Sequence, residues 1–185
     1  MSEPRRVLII GGGYAGVEAA HKLEKRSKKD DLQITLIDKK PYHTLMTELH
    51  EVAGGRVEAD AVRVPFESLF PNGKVKVVLD RIQKVDFAAR VARSPEHEYP
   101  YDYVVLASGG EPETFNLPGV AEHSFTLWSM EDAVRLRDHI REVYHRASKE
   151  TDPNKRRSLL TFVVAGAGFT GVEIIGELIE WRAKL

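Results

Sequence analysis

The sequence contains no cysteine. That excludes disulfides, thiolate metal sites and any thiol-disulfide redox centre built from these residues. Long apolar runs are missing too. Val7-Leu8-Ile9-Ile10 is the first such run, and four residues are too few for the core of a secretory signal or for a membrane span. Neither sign of charge is in excess: 27 Lys and Arg stand against 28 Asp and Glu, a formal net charge of −1. Bulk charge therefore points to no nucleic acid and to no anionic membrane surface. The seven histidines lack metal-ligand spacing; His139 and His145, six apart, would not share a helix face. No metal is expected, and the expected location is cytoplasmic. At 185 residues, 42% hydrophobic and 30% charged, the composition suits one globular domain and the start of a second.

The apolar run at 7–10 ends in glycine and reads as a buried parallel strand. Val17, Ala20 and Leu23 then mark the inner face of a helix. Glu18 lies toward its positive end, and Lys25, Arg26, Lys28 and Lys29 toward its negative end. Gln33–Ile37 is a second strand, so a βαβ unit is expected. A helix is expected around Leu45–Val52, ended by Gly54-Gly55. Lys74–Leu79, Arg81–Phe87 and Arg90–Ala92 read as short strands of an antiparallel meander, and Tyr103–Ala107 as another buried strand. Met130–Arg146 is amphipathic, with Ala133, Leu136, Ile140 and Val143 on one face. Residues 147–158 read as a linker, and Leu159–Val164 as a further buried strand leading into a last helix. The fold class is α/β: a Rossmann-like domain with a parallel sheet and an inserted antiparallel β-meander, then the first strand and helix of a second Rossmann-like domain.

Gly11, Gly13 and Gly16 fit G-x-G-x-x-G between the first strand and the first helix. In that pattern the first glycine allows the tight turn, the second lets backbone approach a pyrophosphate, and the third lets helix pack on strand. The helix amino terminus favours the phosphate charge. Asp38 lies 22 residues after Gly16, at the end of the second strand, where a carboxylate can accept from the ribose hydroxyls of an adenosine. Gly166, Gly168 and Gly171 repeat the pattern after another apolar run. Two fingerprints imply two dinucleotide sites. The chain ends 14 residues after Gly171, before a second acid can be read, so NAD and NADP stay undistinguished.

With the segment Tyr101–Gly110 between them, the two fingerprints resemble the flavoproteins of the pyridine nucleotide-disulfide oxidoreductase superfamily, whose first fingerprint binds FAD and whose second binds NAD(P)H. Ala107-Ser108-Gly109 resembles that superfamily's ATG motif. The stretch Pro41–Gly54 and the Gly171-Val172-Glu173 triplet are similar to type II NADH dehydrogenases, which are NADH:quinone reductases. Disulfide reductases carry a cysteine pair in the Pro41–Gly54 region, and this chain has none. The resemblance implies hydride transfer from NADH to FAD and electron delivery to a quinone. It implies that FAD is lined by Gly11, Gly12, Gly13, Tyr14, Ala15, Gly16, Asp38, Lys39, His43, Thr47, Ile82, Ser108, Gly109 and Gly110. It places NAD(P)H at Gly166, Gly168, Gly171 and Glu173, with Glu173 near the nicotinamide. A related flavin reductase with a ferredoxin-type or peroxide-type acceptor is the alternative enzyme.

Members of the superfamily continue well beyond this length, so the chain is expected to be an amino-terminal fragment. The expected division is an FAD domain over 1–118, a connecting helix and linker over 119–157, and the start of an NAD(P)H domain over 158–185. By the same resemblance, membrane contact is peripheral, at the inner face of the cell membrane, and comes through segments outside this chain. As given, the chain is expected to act as a nucleotide-binding module without turnover. Ile174, Ile175, Leu178, Ile179 and Leu185 make the last helix apolar, so self-association or docking of that helix is expected. Trp128 and Trp181 are read as packing residues, and Glu173 as sitting in the first turn of its helix.

Overall fold

The computed structural model describes residues 3–27 and 31–182; Lys28, Lys29 and Leu185 lie outside the described residues. The chain folds as two units, Met1–Thr44 with Arg63–Gly110, and Leu45–Val62 with Glu111–Leu185.

The first unit is built on a parallel sheet. Strand β1 (Arg5–Ile10) enters helix α1 (Tyr14–Arg26), which returns to β2 (Leu32–Asp38). β1 is flanked by β2 and, on its other side, by β9 (Tyr103–Leu106), while β5 (Val75–Leu79) pairs with β2. All three pairings are parallel. Both faces are covered, which is why β1 and β2 are rich in branched aliphatics rather than alternating. Ile9, Ile34 and Leu36 pack under α1 with Ala20, Phe66 and Phe70. Leu8 and Ile37 face the other way, onto Ala92 and Tyr101. A short antiparallel pair, β3 (Tyr42–Thr44) with β4 (Arg63–Pro65), follows, and helix α3 (Phe66–Leu69) supplies Phe66.

The antiparallel meander exists, and two of its strands lie where expected, within 81–87 and at 90–92, but its third is not the one expected. It consists of β6 (Lys84–Asp86), β7 (Val91–Arg93) and β8 (Glu98–Pro100). Residues 75–79 belong instead to the edge of the parallel sheet. Short alternating runs look alike in either setting, because period-two patterning carries no information about the neighbouring strand. β9 is less buried than expected, with Tyr103 and Leu106 exposed at the other sheet edge.

In the meander the Tyr99 hydroxyl donates to Asp80 and holds that carboxyl down to about 2, with Ser94 as the next contributor. Burial, then the Asp80 contact, pushes Tyr99 up to about 12. Asp80 is thus more acidic folded than unfolded: its contribution is complete above about pH 4 and is lost as pH falls toward 2. Tyr99 contributes below about pH 10, and that contribution is lost as pH rises through 12. Tyr99→Phe should flatten stability against pH on both limbs. Melting temperatures recorded from pH 2 to 4 and above pH 10 test this, and a profile parallel to wild type would contradict it.

The second unit is helical. A 3-10 turn (Met46–Glu48) and α2 (Leu49–Ala53) are followed by a further 3-10 turn (Ala59–Val62). Beyond residue 110 come α4 (Val120–His123), α5 (Met130–Lys149), α6 (Pro153–Leu159) and α7 (Phe169–Arg182). α5 begins with a capping box: the Ser129 hydroxyl accepts from Asp132 N–H, and the Asp132 carboxylate accepts from Ser129 N–H. The core joins Leu49, Val52, Ala53 and Val62 to Met130, Ala133 and Ile174. Ile140 and Val143 are buried on the same α5 face. α7 is therefore docked through Ile174, with Leu178 beside it, while Ile175 and Ile179 stay exposed.

Three expectations are corrected here. The stretch read as a linker over 147–158 is the end of α5 plus α6, where Asp152 accepts from Asn154 and Lys155 N–H ahead of Pro153. The Asp-Pro pair was an N-cap followed by proline at N1, a helix start rather than a break. The strand expected at Leu159–Val164 does not form: Leu159 closes α6, and 161–167 are without ladder partners among the described residues. A β-prone run becomes a strand only beside another. Trp128 is exposed, whereas Trp181 is buried as expected.

Candidate functional site

The first glycine corner is assembled from β1, α1 and the end of β9. Gly11 has φ +105°, and a Cβ there would lie 2.2 Å from the Ala107 carbonyl oxygen. At Gly16 a Cβ would lie 1.8 Å from the Gly11 carbonyl oxygen. At Gly12 it would lie 2.1 Å from the Phe66 ring. Packing of the protein on itself therefore explains these three glycines. Gly13 is different: a Cβ there would meet nothing within 4 Å, and its φ of −73° suits any residue. Gly13 also caps α1 without a side-chain hydrogen bond. The corner thus leaves open space at a helix amino terminus, where the free N–H groups and the dipole favour a phosphate group.

Asp38 sits beside it. Its Oδ2 accepts from Gly12 N–H at 2.6 Å, and its Oδ1 from Lys40 N–H at 2.8 Å. Two backbone donors hold the carboxylate at the carboxyl end of β2. His43 is buried, with Nδ1 2.9 Å from the Gly12 carbonyl oxygen. A carbonyl only accepts, so Nδ1 carries the proton. The Tyr14 and His43 rings meet edge-on at 4.7 Å. Gly12 is thus gripped through its N–H by Asp38 and through its C=O by His43. Spacing had singled out Asp38; the His43 contact needed the β3 strand to bring it in. His43→Leu should cost about 1–3 kcal/mol by leaving that carbonyl unpaired. Urea unfolding measures this, and an unchanged midpoint would contradict it.

The structure gathers Gly11, Gly12, Gly13, Tyr14, Ala15, Gly16, Asp38, Lys39 and His43 around one corner of the first unit. Ser108, Gly109 and Gly110 follow β9 and are exposed, with Gly109 at φ +76°. Ile82 packs with Leu8 and Ile37. Thr47 belongs to the second unit, in the 3-10 turn, where its hydroxyl donates to Glu48 at 3.2 Å.

The second corner, in the second unit, copies the backbone of the first. Gly166 has φ +107°; a Cβ at Gly171 would lie 2.2 Å from the Gly166 carbonyl oxygen; and Val172 N–H donates to Gly168 at 3.1 Å, as Val17 N–H does to Gly13 at 3.0 Å. A Cβ at Gly168 would again meet nothing within 4 Å. Glu173 is the fifth residue of α7, beyond its first turn, so the dipole reason expected for it does not apply. Its carboxylate lies instead 3.5 Å from His50 Nδ1 of α2. Glu48, His50 and Glu51 bring ligand atoms within 4.8 Å of one another, but Glu51 accepts from Arg56 at 2.6 Å.

The sequence pattern of the pyridine nucleotide-disulphide oxidoreductase family matches residues 5–184. The chain is 38% identical over 178 residues to the type II NADH:quinone oxidoreductase of Staphylococcus haemolyticus, covering 95% of this chain and 43% of that protein. The chain thus spans less than half the length of this relative. Among solved structures, NDH2 from Plasmodium falciparum superposes with a TM-score of 0.83 at 20% identity, over 98% of this chain and 38% of that one. The sulfide:quinone oxidoreductase of Aquifex aeolicus superposes with a TM-score of 0.68 at 27% identity, over 76% of this chain and 32% of that one.

Proposed function

Since the chain belongs to the pyridine nucleotide-disulphide oxidoreductase family, we propose that its first corner holds FAD, its second NAD(P)H, and that the protein carrying it is an NADH:quinone oxidoreductase. The observation that carries this is the pair of matching corners, each open at its middle glycine, Gly13 and Gly168. FAD, when bound, supplies the two-electron chemistry, and the overall balance is NADH + H⁺ + quinone → NAD⁺ + quinol.

The chain's own residues bind and orient. Gly13 leaves the diphosphate room, α1 lends its positive end, and Asp38, fixed by two N–H donors, offers its carboxylate to the ribose. Lys39, His43, Thr47, Ile82 and Ser108–Gly110 complete the FAD lining in this reading, with Glu173 near the nicotinamide. The quinone acceptor is supported by the name of the Staphylococcus relative. The same reading makes 1–118 the FAD domain and 158–185 the start of the NAD(P)H domain. No helix among the described residues is long and apolar enough to cross a membrane. A cytoplasmic protein, peripheral at the membrane, fits the proposed acceptor.

The test is the visible spectrum of the purified protein that carries this chain, then its NADH oxidation with a soluble quinone; the chain by itself is expected to show no turnover. Bound flavin with NADH oxidation that needs quinone is the expected result. Bound flavin with turnover only on other acceptors would replace quinone, and a colourless protein unable to take up added FAD would end the reading. Self-association through the exposed Ile175 and Ile179 belongs to the same proposal. Light scattering that finds only monomer would remove it.

A further inference from the structure

The Gly54-Gly55 pair ends α2, but ending a short helix does not need two glycines. Their other neighbours are side chains of α7. A Cβ at Gly54 would lie 2.6 Å from the Glu177 Cβ, and one at Gly55 2.7 Å from the Trp181 ring, with Gly55 at φ +68°. Glu173, Glu177 and Trp181 are four residues apart, so they form one stripe along α7. Each meets the α2 end: Glu173 meets His50, Glu177 meets Gly54, and Trp181 lies on Gly55. Arg56, half-exposed, bridges the stripe to α2, with Nη2 2.6 Å from Glu51 and 2.7 Å from Glu177. Glu177 is charged and buried.

This clasp matters because of what α7 carries. Its amino end is the second glycine corner, and residues 161–167 leading into that corner have no ladder partners among the described residues. Packing and charge along α7 tie that corner to the α2 end.

We propose that Arg56, Glu177 and Gly55 are positioning residues for the second nucleotide site: they clasp α7 to the α2 end and so fix where the Gly166–Gly171 corner stands. The inference rests on the reading that this corner takes NAD(P)H. A corner held loosely still binds, but with its phosphate donors displaced, and small displacements of such groups are expensive. Arg56→Gln leaves the Glu177 carboxylate buried and unpaired. Arg56→Gln with Glu177→Gln removes that charge.

The experiment uses the purified protein that carries this chain. Binding of NAD⁺, which cannot reduce a flavin, is measured by calorimetry, and NADH oxidation is followed alongside. Arg56→Gln should raise both the Kd for NAD⁺ and the KM for NADH about tenfold, with flavin content and kcat within about twofold of wild type. Adding Glu177→Gln should recover much of the loss. The milder Glu177→Gln alone keeps the shape and should raise the Kd about threefold even if Arg56→Gln does not fold. Unchanged Kd and KM in the folded variants would overturn the proposal. So would flavin content and kcat falling in step with affinity, which is general damage. A wild-type protein that neither binds NAD⁺ nor oxidises NADH would instead overturn the underlying reading.

Discussion

Gly13→Ala should leave the fold standing and strip the protein of flavin. Nothing in the chain requires glycine at this position: φ is −73°, and an added methyl meets no atom within 4 Å. The cost to folding is the small preference for glycine over alanine at a helix N-cap, within about 1 kcal/mol. The methyl would, however, occupy the space in which the proposed diphosphate lies against the α1 amino end. Affinity for FAD should fall on the order of 100-fold, about 2.7 kcal/mol. Flavin stoichiometry after purification and an FAD titration of the stripped protein measure it, with urea unfolding as the control. A variant that retains wild-type flavin would show that the diphosphate is elsewhere.

Gly16→Ala should do the reverse and damage the fold itself. Its Cβ would stand 1.8 Å from the Gly11 carbonyl oxygen and 3.0 Å from the carbon that bears it. Both are backbone atoms, in a residue already held by the Gly11 N–H donating to the Ile37 carbonyl oxygen at 2.8 Å. No rotamer change relieves that clash, so α1 must move off the sheet, carrying Ala20 and Leu23 out of the core they share with Ile9 and Leu36. The expected loss is about 3 kcal/mol, which for a chain of this size is a fall in melting temperature of roughly 10 °C. Calorimetry or thermal circular dichroism checks it. A melting temperature within a degree or two of wild type would mean that helix and strand are not packed this closely. The contrast is the informative part: two glycines of one motif, three residues apart, fail for different reasons, one through its ligand and one through the fold.

Much of the first unit was legible because its signals are local. β1, α1 and β2 follow from an unbroken aliphatic run, a three-residue helical spacing and a second aliphatic run, and the glycines mark the turn between them. The amphipathic face of α5 is of the same kind. What failed depended on neighbours. Residues 75–79 alternate like a meander strand and lie in the parallel sheet, and the strand at 98–100 was missed beside them. Residues 159–164 have strand composition, but no strand pairs with them among the described residues. Trp128 is as apolar as Trp181, yet only Trp181 has a glycine to lie on.

The sequence alone determined the two glycine corners, down to their matching backbones, because a left-handed φ and a helix start are properties of a few consecutive residues. It also determined the acid at position 38 and the absence of any thiol. Only the tertiary structure decided what stands around those corners: that Asp38 and His43 grip Gly12 from both sides, that Phe66 packs against it, and that Arg56 ties Glu177 to the end of α2. These contacts join residues from about 25 to more than 100 positions apart in the chain, and no local preference specifies a partner at that range. Packing selects it, once burial of the aliphatic faces has brought the elements together.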